Sequence, residues 1–294
     1  NDIYERLKQE IHGQDNALEQ VCDILVCTKS GLRDKTKPIG KFLFVGPSSC
    51  GKTFCAKKIA KHFFNDEKAF YKIDMSEFQE KSSVSGLIGT TAGYIGYENG
   101  GRLTEYVKHY ASSVIVFDEI EKAHPDISNI LLQIMDDGYL TDGHGDRIDF
   151  TNTIIVLTSN VGSGTVKKSM GFINDKTHGG NYLESVKKFF RPEVLARIDE
   201  IIVFNDIDAK TAKMIVWDAI NRVVNLIKEN KKINLIVNDC VVDYINEQSQ
   251  KLESHARSAQ ALVRKVLEVP LSKYLLTNKP VEIKTKMQKD KLII

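Results

Sequence analysis

The sequence has little excess charge of either sign, since 41 lysines and arginines nearly balance 39 aspartates and glutamates, for a formal net charge of +2. A dedicated nucleic-acid-binding protein usually carries a basic stripe, so this balance argues against that class. No apolar run approaches the length of a membrane span. The sequence also shows no signal peptide, internal repeat or low-complexity segment. We therefore expect no nucleic acid and no membrane among the partners.

Cysteine is also scarce, and its arrangement excludes a disulfide scaffold. The number is odd and no C-x-x-C pair occurs, which favours a reduced interior compartment over a secreted framework. Because Asn1 is not an initiator methionine, we expect the chain to be a fragment of a longer protein. The five cysteines are Cys22, Cys27, Cys50, Cys55 and Cys240.

Apolar runs of strand length alternate with helical patterns over most of the chain. Residues 1–35 predict helix, and "KFLFV", "FYKIDM", "SSVIVFDEI", "NTIIVLTSN" and "IDEIIVF" predict strands with helices such as "ISNILLQIMDDG" between them. This alternation predicts an α/β three-layer sandwich with a parallel sheet. Later, a long helix over about residues 209–228 precedes a strand "INLIV", two helical stretches and "VEIKTK". We predict a large domain over residues 1–205 and a small α+β domain over residues 206–294.

The stretch "GPSSCGKT" matches the phosphate-loop pattern G-x-x-x-x-G-K-[ST] between a predicted strand and a predicted helix. Its glycines allow a tight turn whose N–H groups face phosphate oxygens, and the helix N-terminus favours that anion. Lys52 would neutralise the β- and γ-phosphates, and Thr53 would hold Mg²⁺. A chance glycine-bearing turn is the alternative, but the flanking elements favour nucleotide binding. The candidate loop residues are Gly46, Pro47, Ser48, Ser49, Cys50, Gly51, Lys52, Thr53 and Phe54.

The stretch "VIVFDE" supplies acidic groups beside that loop. Asp118 ends a buried strand and would meet the metal through its water shell, which makes Thr53 and Asp118 the predicted magnesium site. Glu119 is the candidate base for the attacking water, and Asn160, which closes "VLTSN", would help to position that water. The alternatives are an acidic N-cap for the following helix and an asparagine that serves only a turn.

Taken in order, "GPSSCGKT", "IDMSEF", "LIGTTAGYIGYENGG", "VIVFDEIEKAHPDISNILLQIMDDGYLTDG", "TIIVLTSNVG" and "FRPEVLARIDEIIVF" resemble the second ATPase module of the Clp unfoldases. These are ring-forming AAA+ proteins that pull polypeptides through a central pore. The resemblance covers almost the whole chain. It implies an AAA+ ATPase domain with a small C-terminal lid domain, assembly as a homo-hexamer, ATP and Mg²⁺ as cofactors, and unfolded proteins as substrates.

The resemblance also implies two arginine roles. Arg197 in "ARIDE" matches the arginine finger, which would stabilise phosphoryl charge at the neighbouring subunit's nucleotide. The alternative is a surface arginine paired with Asp199 or Glu200. Arg257 in "SHARSAQ" matches the sensor arginine that couples nucleotide state to domain angle. Its alternative is a solvated helix arginine.

Several positions depart from the family pattern. His12 replaces an apolar residue beside Ile11 at the implied adenine pocket, so both residues are candidate nucleotide contacts. These departures affect the expected rate of ATP hydrolysis and its coupling to domain movement more than they affect nucleotide binding. They keep a nucleotide-binding regulatory ring subunit with little hydrolysis as an alternative. The other departures are Ser48 and Ser49 in the phosphate loop, Ala196 before the finger, and His255 and Ser258 around the sensor arginine.

By the same resemblance, "GYIGYENGG" matches the pore loop, in which Tyr94, Ile95 and Gly96 would contact the threaded substrate. A bulky amphipathic ring between glycines contacts many side chains without reading their sequence. The alternative is a tight turn whose tyrosine packs on the body of the domain.

The polar run "KKSMGFINDKTHGGN" contains an apolar tip, Met170, Gly171 and Phe172, where peptidase-feeding Clp proteins carry their ClpP-docking loop. Six mobile loops with such tips would bind a facing ring by avidity. ClpB-type disaggregases lack this motif, so the chain resembles the ClpC or ClpA type and is expected to deliver unfolded chains to a ClpP-type peptidase. The alternatives are a Phe172 packed on its own domain and a ClpB-type disaggregase.

The stretches "KENKKIN" and "KTKMQKDKLII" are rich in lysine, asparagine and isoleucine, which is typical of AT-rich genomes. Together with the ClpC likeness, this composition predicts the stroma of an apicoplast-type plastid. The bacterial cytoplasm is the alternative.

Overall fold

A computed structural model describes residues 2–90, 100–163, 178–252, 255–278, 280–288 and 290–294. The chain divides into two compact units. The first contains Asn1–Pro47 and Gly51–Asn205, and the second contains Ser48–Cys50 and Asp206–Ile294. Among the helices that the structure describes, none has both the length and the apolar character needed to cross a membrane.

A five-stranded parallel sheet forms the centre of the first unit, in the order β2-β3-β6-β1-β7. Every residue of β1, β3 and β6 is buried, which explains why these strands read as continuous apolar runs. This sheet with its flanking helices confirms the predicted α/β fold class. The strands of this sheet are β1 (Gly40–Val45), β2 (Phe70–Asp74), β3 (Ser113–Asp118), β6 (Thr153–Ser159) and β7 (Glu200–Val203). Two short strands, β4 (Tyr139–Thr141) and β5 (Arg147–Asp149), form a separate antiparallel pair.

Helices surround this sheet, and their apolar faces complete its core. The prediction of helix over residues 1–35 is wrong in detail, because two helices separate there at a turn in which Gly13 has φ 72°. A right-handed helix needs negative φ, so the turn ends the first helix. The helices are α1 (Asp2–Glu10), α2 (Asp15–Lys29), α3 (Lys52–Phe63), α4 (Lys81–Ile88), α5 (Arg102–His109), α6 (Asp126–Asp137), α7 (His178–Phe189) and α8 (Pro192–Leu195), with 3₁₀ turns at Met75–Phe78 and Ile120–Lys122.

Three glycines bring separate segments of the first unit into backbone contact. A Cβ on Gly101 would lie 2.4 Å from the Leu87 carbonyl oxygen, and a Cβ on Gly143 would lie 2.5 Å from the Gly89 carbonyl carbon. The Gly143 N–H donates to the Ile88 carbonyl at 2.8 Å. We call Gly89, Gly101 and Gly143 the glycine junction. It fixes the end of α4, the start of α5 and the β4–β5 turn at one place.

The second unit has its own sheet and core. Strands β8 (Asn234–Val237) and β9 (Glu282–Gln288) are parallel, and β10 (Lys291–Ile293) pairs antiparallel with β9. Asp208 caps the first helix, since its carboxylate accepts from the Thr211 N–H at 2.7 Å. These features fit the predicted small α+β fold. The helices are α9 (Ala209–Lys231), α10 (Asp239–Gln250), α11 (His255–Val263) and α12 (Val269–Thr277), with a π-helical turn at Arg264–Glu268.

Candidate functional site

The phosphate loop connects β1 to α3 and requires backbone conformations that glycine allows. Gly46 has φ 151° and Gly51 has φ 104°, both in the region that favours glycine. A Cβ on Gly51 would meet nothing within 4 Å, so the dihedral angle rather than space requires glycine there. Ser49 also has positive φ, at 63°. Gly51 caps α3, which places the N-terminus of that helix at the loop, as anion binding requires.

The Lys52 side chain is held inside this loop. Its ammonium donates to the carbonyl oxygens of Gly46 at 2.8 Å and Pro47 at 2.6 Å. It also donates to Asn160 Oδ1 at 3.0 Å, from the end of β6. The residue is 7% exposed. A buried ammonium beside a phosphate loop suits the neutralisation of phosphate charge.

Asp118, at the end of β3, accepts from three side chains. Its Oδ1 accepts from the hydroxyls of Thr53 at 3.1 Å and Thr158 at 2.5 Å, and its Oδ2 lies 2.6 Å from Lys72 Nζ. Burial raises the pKa of the Asp118 carboxyl, but the hydrogen bonds from Lys72, Thr158 and Thr53 outweigh burial and lower the pKa below its usual range. The carboxylate is therefore ionised at neutral pH. A hydroxyl and a carboxylate oxygen in contact are a donor set that fits Mg²⁺.

Glu119 has a left-handed backbone conformation, with φ 56° and ψ 51°. Such strain in a non-glycine residue is typical of functional sites. Its N–H donates to Thr158 Oγ1 at 3.1 Å, so one hydroxyl connects the two acidic residues. The carboxylate makes no capping bond to the following turn, which argues against the N-cap alternative. Instead, Oε1 accepts from Asn160 Nδ2 at 3.4 Å, and Oε2 pairs with Lys122 Nζ at 2.5 Å.

Asn160 connects the two halves of the site. Its side-chain oxygen accepts from Lys52 and its amide donates to Glu119. Its backbone N–H donates to Glu121 Oε1 at 3.1 Å, which fixes the end of β6. The carboxyl ends of adjacent parallel strands meet at one edge of a sheet, where ligands bind in α/β proteins. The structure thus brings together Lys52, Thr53, Asp118, Glu119 and Asn160.

Arg197 follows α8 and has a different partner from those considered in the sequence. Its Nε donates to Asp136 Oδ2 at 2.8 Å and Oδ1 at 3.0 Å. Asp199 instead accepts from the Lys41 N–H at 2.8 Å and pairs with Lys41 Nζ at 3.1 Å. The alternative in which Arg197 pairs with Asp199 is therefore wrong, because Asp199 binds Lys41 at the start of β1. The role of Arg197 as an arginine finger stays a prediction. The Arg197 side chain is 35% exposed.

The other predicted nucleotide contacts vary in exposure. Ile11 is buried directly after α1, and His12 follows it in the turn before α2. Phe54, in the first turn of α3, is 38% exposed, with the Lys58 ammonium 5.2 Å from its ring centroid. Arg257 lies in α11, but its side chain is outside the described residues. The predicted pore residues Tyr94, Ile95 and Gly96 and docking residues Met170, Gly171 and Phe172 also lie outside them.

Sequence reasoning missed three residues of this site: Lys72, Thr158 and Lys122. Thr158 lies two residues before Asn160, so the alternation of a strand places both on one face. Lys72 lies in β2, which pairs with β3. A lysine in a short strand next to the strand that ends in Asp118 was the signal that could have indicated this ion pair. Lys122 follows Glu119 by three residues in the 3₁₀ turn.

Comparison with known proteins agrees with this geometry. The AAA domain (Cdc48 subfamily) matches residues 37–201. The chain belongs to the AAA ATPase family. The C-terminal, D2-small domain of ClpB protein matches residues 207–287. These matches confirm the predicted relationship to the second ATPase module of Clp proteins and the ATPase class, and membership of this family implies nucleotide binding.

Two kinds of curated relative match nearly the whole chain. The chain is 41% identical over 289 residues to the "ATP-dependent Clp protease ATP-binding subunit ClpC" of Staphylococcus aureus, which covers 95% of the chain and 35% of that protein. It is 42% identical over 272 residues to the "Chaperone protein ClpB" of Vibrio vulnificus, which covers 92% of the chain and 32% of that protein. The chain thus spans about a third of the length of these relatives. Both are bacterial proteins, which gives the predicted plastid compartment no support.

Proposed function

We propose that this chain hydrolyses ATP with Mg²⁺ as the motor module of a protein unfoldase. The hydrolysis proposal rests on one observation: the side-chain amide of Asn160 contacts both Lys52 and Glu119. Lys52 would bind the phosphates. Thr53 and Asp118 would hold the magnesium ion, which would supply charge neutralisation at the phosphates. Glu119 would take the proton of the attacking water.

Asn160 orients that water, and the pair of Glu119 with Lys122 defines the position of the base before ATP binds. Because Lys122 is about half exposed, it can give up Glu119 when the site closes. The remaining assignments rest on the family resemblance. Arg197 acts as the finger toward a neighbouring subunit of a homo-hexamer, and Arg257 acts as the sensor.

We further propose that Tyr94, Ile95 and Gly96 grip an unfolded polypeptide in the pore and that Met170, Gly171 and Phe172 dock on a ClpP-type peptidase. The motif itself and the likeness to a protein named as a Clp protease subunit support delivery to the peptidase. The equal likeness to ClpB supports disaggregation as the second candidate.

The test is binding of ClpP by a ring trapped with ATP. Glu119→Gln removes the base and retains the neighbouring groups, so the variant holds ATP unhydrolysed, and native mass spectrometry first establishes the hexamer. We expect this ring to bind ClpP and Phe172→Ala to abolish that binding. The matched control is Phe189→Ala, which removes a 51% exposed phenylalanine outside the docking motif and leaves binding intact.

An intact ring that fails to bind ClpP would refute delivery and favour disaggregation. The steady-state ATPase rate of the unsubstituted protein separates both candidates from the regulatory alternative. A regulatory subunit would bind nucleotide and show no turnover above that of Glu119→Gln.

A further inference from the structure

Lys72 neutralises the Asp118 carboxylate from outside the phosphate loop. It lies on β2, the edge strand of the five-stranded sheet, beside β3. Its Nζ is 2.6 Å from Asp118 Oδ2, while the hydroxyls of Thr53 and Thr158 occupy Oδ1. In the described part of the chain, Lys72 is the cation paired with this carboxylate.

The two partners differ in their freedom to move. The Asp118 side chain is 12% exposed and fixed by two hydroxyls, whereas the Lys72 side chain is 37% exposed. A lysine ammonium is a hydrated point charge on a flexible four-carbon stem, so it can leave this contact for water. Asp74, two residues further along β2, lies on the same face of the strand and offers a second carboxylate.

A divalent ion held through Asp118 and Thr53 would place two positive charges on one carboxylate. The metal ion and the lysine ammonium would then repel each other across that carboxylate, because like charges a few ångströms apart in a protein interact unfavourably. This repulsion favours separation of Lys72 from Asp118 when the metal binds, and the more exposed lysine is the partner that is free to move.

We propose that Lys72 is an exchangeable counter-ion for the metal-binding aspartate. It keeps Asp118 in position when the site has no magnesium, and it leaves Oδ2 when the ion arrives with ATP. Lys72 is thus a positioning residue that competes with magnesium, and this competition sets the magnesium concentration that the protein needs. The inference rests on the proposed use of Mg²⁺ with ATP.

The test measures equilibrium binding of the fluorescent analogue N-methylanthraniloyl-ATP during titration with MgCl₂, with no turnover required. Lys72→Met removes the charge and retains the length of the side chain. An ion pair near the surface is worth about 1 kcal/mol. The magnesium concentration at which the increase in affinity for the analogue is half complete should therefore fall about fivefold. Without nucleotide or magnesium, the same variant should unfold at lower temperature, because Asp118 loses its cation.

Two controls distinguish loss of the Lys72 charge from a change in side-chain packing. Lys72→Arg keeps a cation and should stay within about twofold of the unsubstituted protein, a difference of about 0.4 kcal/mol. Lys213→Met removes a lysine from an exposed ion pair with Asp243 in the second unit and should leave the magnesium titration unchanged. Lys72→Gln, a polar neutral replacement, repeats the measurement if the methionine variant folds poorly.

An unchanged or increased magnesium requirement in Lys72→Met and Lys72→Gln would show that Lys72 is a permanent partner of Asp118, and the inference would be wrong. Failure of the unsubstituted protein to bind the analogue at all would instead overturn the proposed nucleotide function, and this inference with it.

Discussion

Replacement of Thr158 by valine tests whether one hydroxyl organises both acidic residues of the site. Thr158 is 1% exposed, and its Oγ1 donates to Asp118 and accepts from the Glu119 N–H. Valine has nearly the same shape, so the substitution removes these two bonds without opening a cavity. It leaves Asp118 with one donor fewer and the strained Glu119 backbone without its acceptor.

The magnitude follows from these two contacts. Loss of a hydrogen bond to a charged group costs about 2 kcal/mol, and an unpaired, partly buried N–H adds about 1 kcal/mol. We therefore expect the free energy of unfolding of the first unit to fall by about 3 kcal/mol at pH 7. Thr153→Val is the matched control. Thr153 is a fully buried threonine on the same strand whose hydroxyl donates to the Phe150 carbonyl, a neutral bond worth about 1 kcal/mol.

The assay is urea unfolding followed by far-ultraviolet circular dichroism. The single tryptophan, Trp217, lies in α9 of the second unit, so its fluorescence reports that unit separately and should not change. The pKa of Asp118 is lowered in the folded protein, so its stabilisation is present above the unfolded pKa and is lost as the pH falls through the folded pKa. The difference between Thr158→Val and the unsubstituted protein should therefore shrink in acid. Equal losses for the two valine variants, or a difference independent of pH, would refute the reasoning.

Three further outcomes are expected. Glu119→Gln should lower the ATPase rate at least about 100-fold while equilibrium binding of ATP is retained, because only the base is lost. Gly101→Ala should destabilise the first unit by about 3 kcal/mol in thermal unfolding, because its Cβ meets the Leu87 backbone, whereas alanine at the open Gly145 should cost less even though the φ there is positive. Asp208→Ala should lower the stability of the second unit by about 1 kcal/mol, read from Trp217 fluorescence, because the cap of α9 is lost.

Much of the fold follows from local pattern. The fully buried strands β1, β3 and β6 are continuous apolar runs, and their alternation with helices predicts parallel pairing. The break between α1 and α2 was missed because the apolar period continues through Ile11, while the positive φ of Gly13 ends the helix. Periodicity reports which face is buried, whereas the end of a helix depends on one dihedral angle.

The candidate site also contains residues that a local pattern predicts and residues that it does not. Lys52, Thr53, Asp118, Glu119 and Asn160 were predicted because each follows or closes a recognisable strand, and parallel strands end at one edge. The contacts of Asp118 with Lys72 and Thr158, and of Arg197 with Asp136, were not predicted, because these partners come from elements distant in sequence. Whether a lysine or aspartate at such a distance forms an ion pair depends on sheet order and on side-chain reach, neither of which a local pattern contains.

The glycine junction has a consequence for how this sequence tolerates variation. Because Gly101 and Gly143 have no room for a Cβ, a library of all amino acids at either position should return glycine almost alone. The end of α4 and the start of α5 are thereby held together by backbone atoms, so their approach does not depend on the identity of a side chain at this place.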